Sequence, residues 1–125
     1  MSAYLLDVNV LLAAIWENHP HHAKATAWLP GKSVLLCPIA ELGFLRISTQ
    51  KLINAPMDKA RRLLETFARE RKAERIADDL PALDSHPAKT EQVTDLYLAN
   101  LADKHGARLA TFDWDIPHNA VDVIG

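Results

Sequence analysis

A chain of 125 residues, 49% of them hydrophobic, can bury a real core but is too short for two, which excludes both a disordered protein and a multidomain one. Its net charge of −2 excludes the strongly basic profile of a protein that grips nucleic acid through phosphates alone, although a short substrate held at a few points stays open. The single cysteine, Cys37, excludes an internal disulfide, and an acid as early as Asp7 interrupts any secretory apolar run, so a reducing, cytoplasmic setting is expected.

The elements follow in chain order. Tyr4-Leu5-Leu6 reads as a buried strand ending at Asp7. Val8 to Trp16 reads as a short helix closed by Asn18-His19-Pro20, and His21 to Leu29 as a second, stopped by Pro30-Gly31. Ser33 to Cys37 is apolar on both faces, the mark of a strand buried on two sides. Pro38 suits the first turn of a helix running to about Thr49. Met57 to Arg71 is amphipathic, with Ala60, Leu63, Leu64 and Phe67 on one face. Arg75-Ile76-Ala77 is a short candidate strand. Thr90 is placed to N-cap a helix from Glu91 to His105, with Val93, Leu96, Tyr97 and Leu101 as its apolar stripe and Gly106 as its end. Arg108 to Phe112 is the next strand, leading into Asp113, and Val121 to Ile124 is a candidate fifth.

Strands alternating with helices imply parallel strands, right-handed crossovers and helices on both faces. The expected fold is therefore α/β: one domain over residues 1–125, three-layered, with a mainly parallel sheet of four or five strands, Rossmann-like in plan. No stretch spans a membrane, because Pro38, Glu41 and Arg46 interrupt the apolar run from Val34 to Ile47. Zinc-type Cys/His spacing is absent from the sequence.

Such sheets bind ligands at the carboxyl ends of their strands. Asp7 and Asp113 each follow a strand directly. Glu41 lies in the first turn of a helix that leaves the same edge, and Asp95 lies near the start of the helix that feeds the strand before Asp113. Each acid taken alone is more simply a cap or a charge at a helix start. Four at one edge repel one another, and a divalent cation relieves that repulsion. Hard carboxylate oxygens without histidine suit Mg2+ or Mn2+ rather than zinc.

The residues around these acids resemble a known family. Leu5-Leu6-Asp7-Val8-Asn9-Val10-Leu11-Leu12 is similar to the opening motif of PIN-domain proteins. Glu41-Leu42-Gly43-Phe44-Leu45-Arg46 resembles their second acidic motif, and Thr94-Asp95-Leu96-Tyr97-Leu98-Ala99 the third. Gly106-Ala107-Arg108-Leu109-Ala110-Thr111-Phe112-Asp113 resembles their final strand and acid. Each motif is short; their order, spacing and total length together resemble the VapC branch, the toxins of type II toxin–antitoxin pairs.

The resemblance implies a PIN-like fold and an Mg2+- or Mn2+-dependent endoribonuclease that hydrolyses RNA with a metal-activated water. It implies Asp7, Glu41, Asp95 and Asp113 as metal ligands and catalytic residues, Asp115 as a candidate outer ligand, and Asn9 beside the first acid as a supporting residue. It also implies an RNA substrate, a homodimer and a cognate VapB-type antitoxin, with DNA reached only through the antitoxin. The alternative is a catalytically inactive PIN-like module that binds RNA or protein.

Several features have two readings. Arg46, one turn beyond Glu41, either steadies a phosphate or carboxylate or simply pairs with a neighbouring acid. His19, His21 and His22 read as a solvated helix end rather than a metal site. Lys59, Arg61, Arg62, Arg69, Arg71, Lys72 and Arg75 read first as the wet face of an amphipathic helix and second as an RNA contact. Trp16, Trp28 and Trp114 could stack bases, but packing between helices or at a protein contact is the simpler role for the first two. Cys37 reads as a buried strand-end residue. Two other readings fit less well. A haloacid-dehalogenase-type phosphatase needs an acid where Asn9 stands, and a receiver domain, for which Asp78 or Asp79 could pose as acceptor, lacks its late lysine.

Overall fold

The computed structural model describes residues 2–125. Five strands form one sheet: β1 (Ala3–Leu6), β2 (Ser33–Leu36), β3 (Glu74–Arg75), β4 (Arg108–Thr111) and β5 (Val121–Val123). The helices are α1 (Val8–Ile15), α2 (His22–Trp28), α3 (Pro38–Thr49), α4 (Met57–Glu70) and α5 (Val93–Lys104). The strand order is β3-β2-β1-β4-β5, with every pair parallel.

This order builds outward from β1 in two directions, so strand order reverses between β1 and β4. A crevice opens at the carboxyl edge there. Leu6 pairs with Ala110, so Asp7 and Thr111 stand at the same height on that edge. Leu36 pairs with Arg75 at the end of β2. β1, β2 and β4 are short apolar runs because helices cover them. Leu5, Leu6, Leu36 and Leu109 are fully buried. β3 is short, charged and exposed, the composition that keeps an edge strand from pairing further.

The helices divide into two layers. α1 packs on α2, α3 and α4, whereas α5 packs on β1 and β4. Right-handed crossovers require this division: β1→β2→β3 moves one way across the sheet, and α5 carries the chain back to the other side of β1. The α1–α3 contact is close because Gly43 has no side chain; a Cβ there would lie 2.6 Å from a Val8 methyl. At the far end of α1, Trp16 stacks on Phe44, with ring centroids 6.2 Å apart, and its Nε1 donates to Ser48 Oγ at 2.9 Å. Trp28 meets Tyr4 edge-on, with centroids 5.0 Å apart. Trp16 therefore packs helix on helix, as expected, whereas Trp28 packs α2 on β1.

Three local expectations need correction. Thr90 does not cap α5. It begins a 3-10 turn, Thr90–Gln92, and the helix starts at Val93, with no side-chain cap on either piece. Val93 is exposed and leaves the apolar stripe, because the helix begins with Val93 outside the layer that Leu96, Tyr97 and Leu101 bury. The histidines do not form a solvated end. His22 Nδ1 lies 2.7 Å from the Ala13 carbonyl, and the His21 ring packs 4.8 Å from that of Phe112. They fasten α2 to the end of α1 and to the strand end that precedes Asp113.

Candidate metal centre

Asp7 leaves β1 with extended dihedrals and N-caps α1, accepting a hydrogen bond from Val10 N–H at 3.0 Å. It is 2% exposed. Burial pushes its carboxyl up to about 6, against lowering hydrogen bonds from the Thr111 side chain and the Val10 amide, and the Asp95 charge pushes it further upward. A carboxylate is thus held where its charge is costly. Asp95, in the first turn of α5, is also raised, first by burial and then by the charge of Asp113. Asp7, Asp95 and Asp113 therefore form a chain of like charges across the β1/β4 reversal.

Thr111 links the first and last of these. Its Oγ1 accepts from the Asp113 amide at 3.0 Å, and its side chain opposes the rise of the Asp7 carboxyl. It is fully buried at the end of β4. In sequence a threonine in a strand is ordinary; its place one pairing step beyond Leu6 and Ala110 is what marks it.

Glu41 sits apart from this chain. It lies in the first turn of α3, where Arg75 of β3 forks onto it: Nε lies 3.2 and 3.3 Å from the two carboxylate oxygens, and Nη2 lies 3.2 Å from Oε2. The register of β2 with β3 creates this pair, which a separation of 34 residues hides in the sequence. Arg46 does not take this role. It is exposed and five residues beyond Glu41, a step of about 140° around the helix beyond one full turn, so it faces elsewhere.

Asp115 turns outward. Its amide donates to Asp113 Oδ1 at 2.9 Å, and its carboxylate pairs with Lys89 at 3.7 Å. Trp114, between the two acids, is 83% exposed. Asn9 is exposed in the first turn of α1. Asp78 and Asp79 have structural partners. Asp78 Oδ2 accepts from Ile39 N–H at 3.1 Å and so caps the start of α3, while Asp79 accepts from Lys104 and lies 2.8 Å from His105 Nε2. Among the described residues, no three acidic, histidine or cysteine side chains already close into a metal cage. The donor set still fits a divalent cation: it is all hard oxygen, and two of its carboxyls are raised by burial and mutual repulsion, both of which a cation offsets.

The PIN domain model matches residues 4–122. Ribonuclease VapC38 of Mycobacterium tuberculosis is 37% identical over 118 residues, covering 87% of this chain and 84% of the relative. Ribonuclease VapC44 of the same organism is 37% identical over 130 residues, covering 94% and 90%. Among solved structures, Mycobacterium tuberculosis VapC20, described as a toxin that cleaves the sarcin-ricin loop, superposes with a TM-score of 0.67 at 10% identity and covers 90% of each chain. VapBC2 of Rickettsia felis, solved with a fragment of its promoter DNA, gives a TM-score of 0.66 at 15% identity and covers 98% of this chain and 99% of that one. With the model matched over nearly its whole length, and with curated ribonuclease relatives well above 30% identity, the chain belongs to the PIN-domain family.

Proposed function

We propose that this chain is a single PIN-like nuclease domain, the RNA-cleaving toxin of a VapBC-type pair, and that Asp7, Glu41, Asp95 and Asp113 hold the Mg2+ or Mn2+ on which its endoribonuclease activity depends. The observation that carries the reading is the placement of Asp7 at the end of β1, Asp113 just after β4 and Asp95 in the first turn of α5, at the reversal point of a parallel sheet. The names of the curated relatives support the activity.

A divalent cation held by Asp7, Glu41, Asp95 and Asp113 would supply Lewis acidity toward a phosphodiester oxygen and would acidify a water. The chain's own residues supply the frame. Asp7 is buried at the start of α1, where its Oδ1 accepts from the Val10 amide. Asp95 reaches the same crevice from the opposite layer. Asp113 is held by the turn that its own Oδ1 makes with the Asp115 amide. Asp115, engaged by Lys89, stands outside the ligand set, and exposed Trp114 offers a base a face on which to stack. Partners follow from the same reading: RNA as substrate, a second copy of the chain, and a VapB-type antitoxin through which DNA is met.

The test is paired. Calorimetric titration with Mn2+ is expected to give a saturable heat that Asp95→Asn loses, and RNA cleavage is expected to fall at least about a hundredfold in that variant while its circular dichroism is unchanged. Cleavage that survives excess chelator, or that persists in Asp95→Asn, refutes the mechanism.

A further inference from the structure

Arg75 is the one arginine or lysine whose side chain pairs with an acid of the candidate centre among the described residues. It ends β3 at the level of Leu36, and the next amide, that of Ile76, donates to the Leu36 carbonyl at 2.9 Å. Its backbone is thereby pinned at the carboxyl edge of the sheet, beside the start of α3. Its Nε–H and one Nη2–H are taken by Glu41. A guanidinium carries five N–H donors, so both on Nη1 and the second on Nη2 remain. The side chain is 54% exposed while that of Glu41 is 18% exposed, so the fork has its inner side on the acid and its outer side open.

Fastening α3 to the sheet edge uses only the Nε–H and one Nη2–H, so that role leaves three of the five donors unaccounted for. The planar guanidinium instead matches a phosphate, which accepts two parallel N–H bonds from it. Glu41 holds the group at a fixed angle, and its oxygens keep further lone pairs for a cation. We infer that Arg75 is a substrate-positioning residue, tethered by Glu41, that grips a backbone phosphate of the RNA beside the one being cut. The chain's slight negative charge gives RNA no strong overall attraction, so local contacts carry more of its binding.

This inference rests on the proposed metal centre, and the experiment separates the two. Binding of a fluorescein-labelled single-stranded RNA is followed by anisotropy at rising KCl, with Ca2+ replacing Mg2+ to prevent cleavage. Arg75→Gln is expected to bind about tenfold more weakly and to lose about 0.7 from the slope of log affinity against log salt, the signature of one phosphate contact on a single strand. Arg75→Lys is expected to keep the wild-type slope, because the charge remains, and to recover only part of the affinity, because the fork is gone. An unchanged slope in Arg75→Gln overturns the inference even if affinity falls, since a structural ion pair alters the shape of the site and not the number of phosphates neutralised. Absence of RNA binding by the wild type overturns it too. Mn2+ calorimetry on the wild type distinguishes the failures: no heat refutes the metal centre itself, whereas normal heat with an unchanged slope refutes Arg75 alone.

Discussion

Replacing Asp7 by asparagine removes the most confined charge in the molecule, and its effect on stability can be worked out. The carboxyl is raised from 3.8 to about 6 in the folded protein. An acid with a raised folded pKa contributes stability that is fully present below its unfolded pKa and is lost as pH rises through its folded pKa. The window here is therefore about pH 4 to 6, and above it the folded state bears a penalty of about 3 kcal/mol, at 1.36 kcal/mol per unit. Asparagine carries no charge, and its oxygen still caps Val10. Its amide, however, meets the Thr111 side chain that now bonds the carboxylate, which costs about 1 kcal/mol. The net expectation for chelator-treated protein at pH 7.5 is a gain of about 2 kcal/mol, or roughly 5–10 °C in Tm for a domain of this size. At pH 4 the gain vanishes or reverses. Thermal melts of both proteins at the two pH values test this, and Mn2+ is expected to raise the wild type's Tm while leaving that of Asp7→Asn unmoved. Equal or lower stability of Asp7→Asn at pH 7.5 refutes the claim that Asp7 is held under electrostatic strain.

Other predictions concern the frame. Gly43→Ala places a methyl 2.6 Å from a Val8 methyl, between the helices that carry Asp7 and Glu41. A loss of about 1–3 kcal/mol in urea denaturation is expected, largely restored by adding Val8→Ala, and an unchanged midpoint overturns the close approach of α1 and α3. The Cys37 thiol is pushed up to about 12, chiefly by burial, with a further push from the Asp78 charge. It is expected to resist iodoacetamide at pH 8 in the native protein and to react at a free-thiol rate in denaturant; rapid native alkylation refutes its burial.

What could be read from the sequence was what its local patterns carry. Tyr4–Leu6, Ser33–Cys37 and Arg108–Phe112 are short apolar runs between breakers, so β1, β2 and β4 and the acids that end two of them were legible. The apolar stripe of α4 and the Pro38 start of α3 were legible for the same reason. What escaped depends on pairing between distant segments. Arg75 reads as one of many surface cations until β3 is laid against β2 in register. Residues 76–92 hold Pro81 and Pro87 and have no period, so the late start of α5, and with it the true role of Thr90, could not be read. Asp78 is one acid of an acidic pair in sequence, and only the fold shows that it caps α3 while its neighbour meets Lys104 and His105.

The pairing of Leu5 with Leu109 gives β1 a second neighbour only after most of the chain exists. A growing polypeptide holds Asp7 and Glu41 early, but β1 stays an open edge and its last acid is missing until β4 has been made. The order of synthesis therefore delays assembly of the crevice, and a fragment cut before β4 lacks both Thr111 and Asp113.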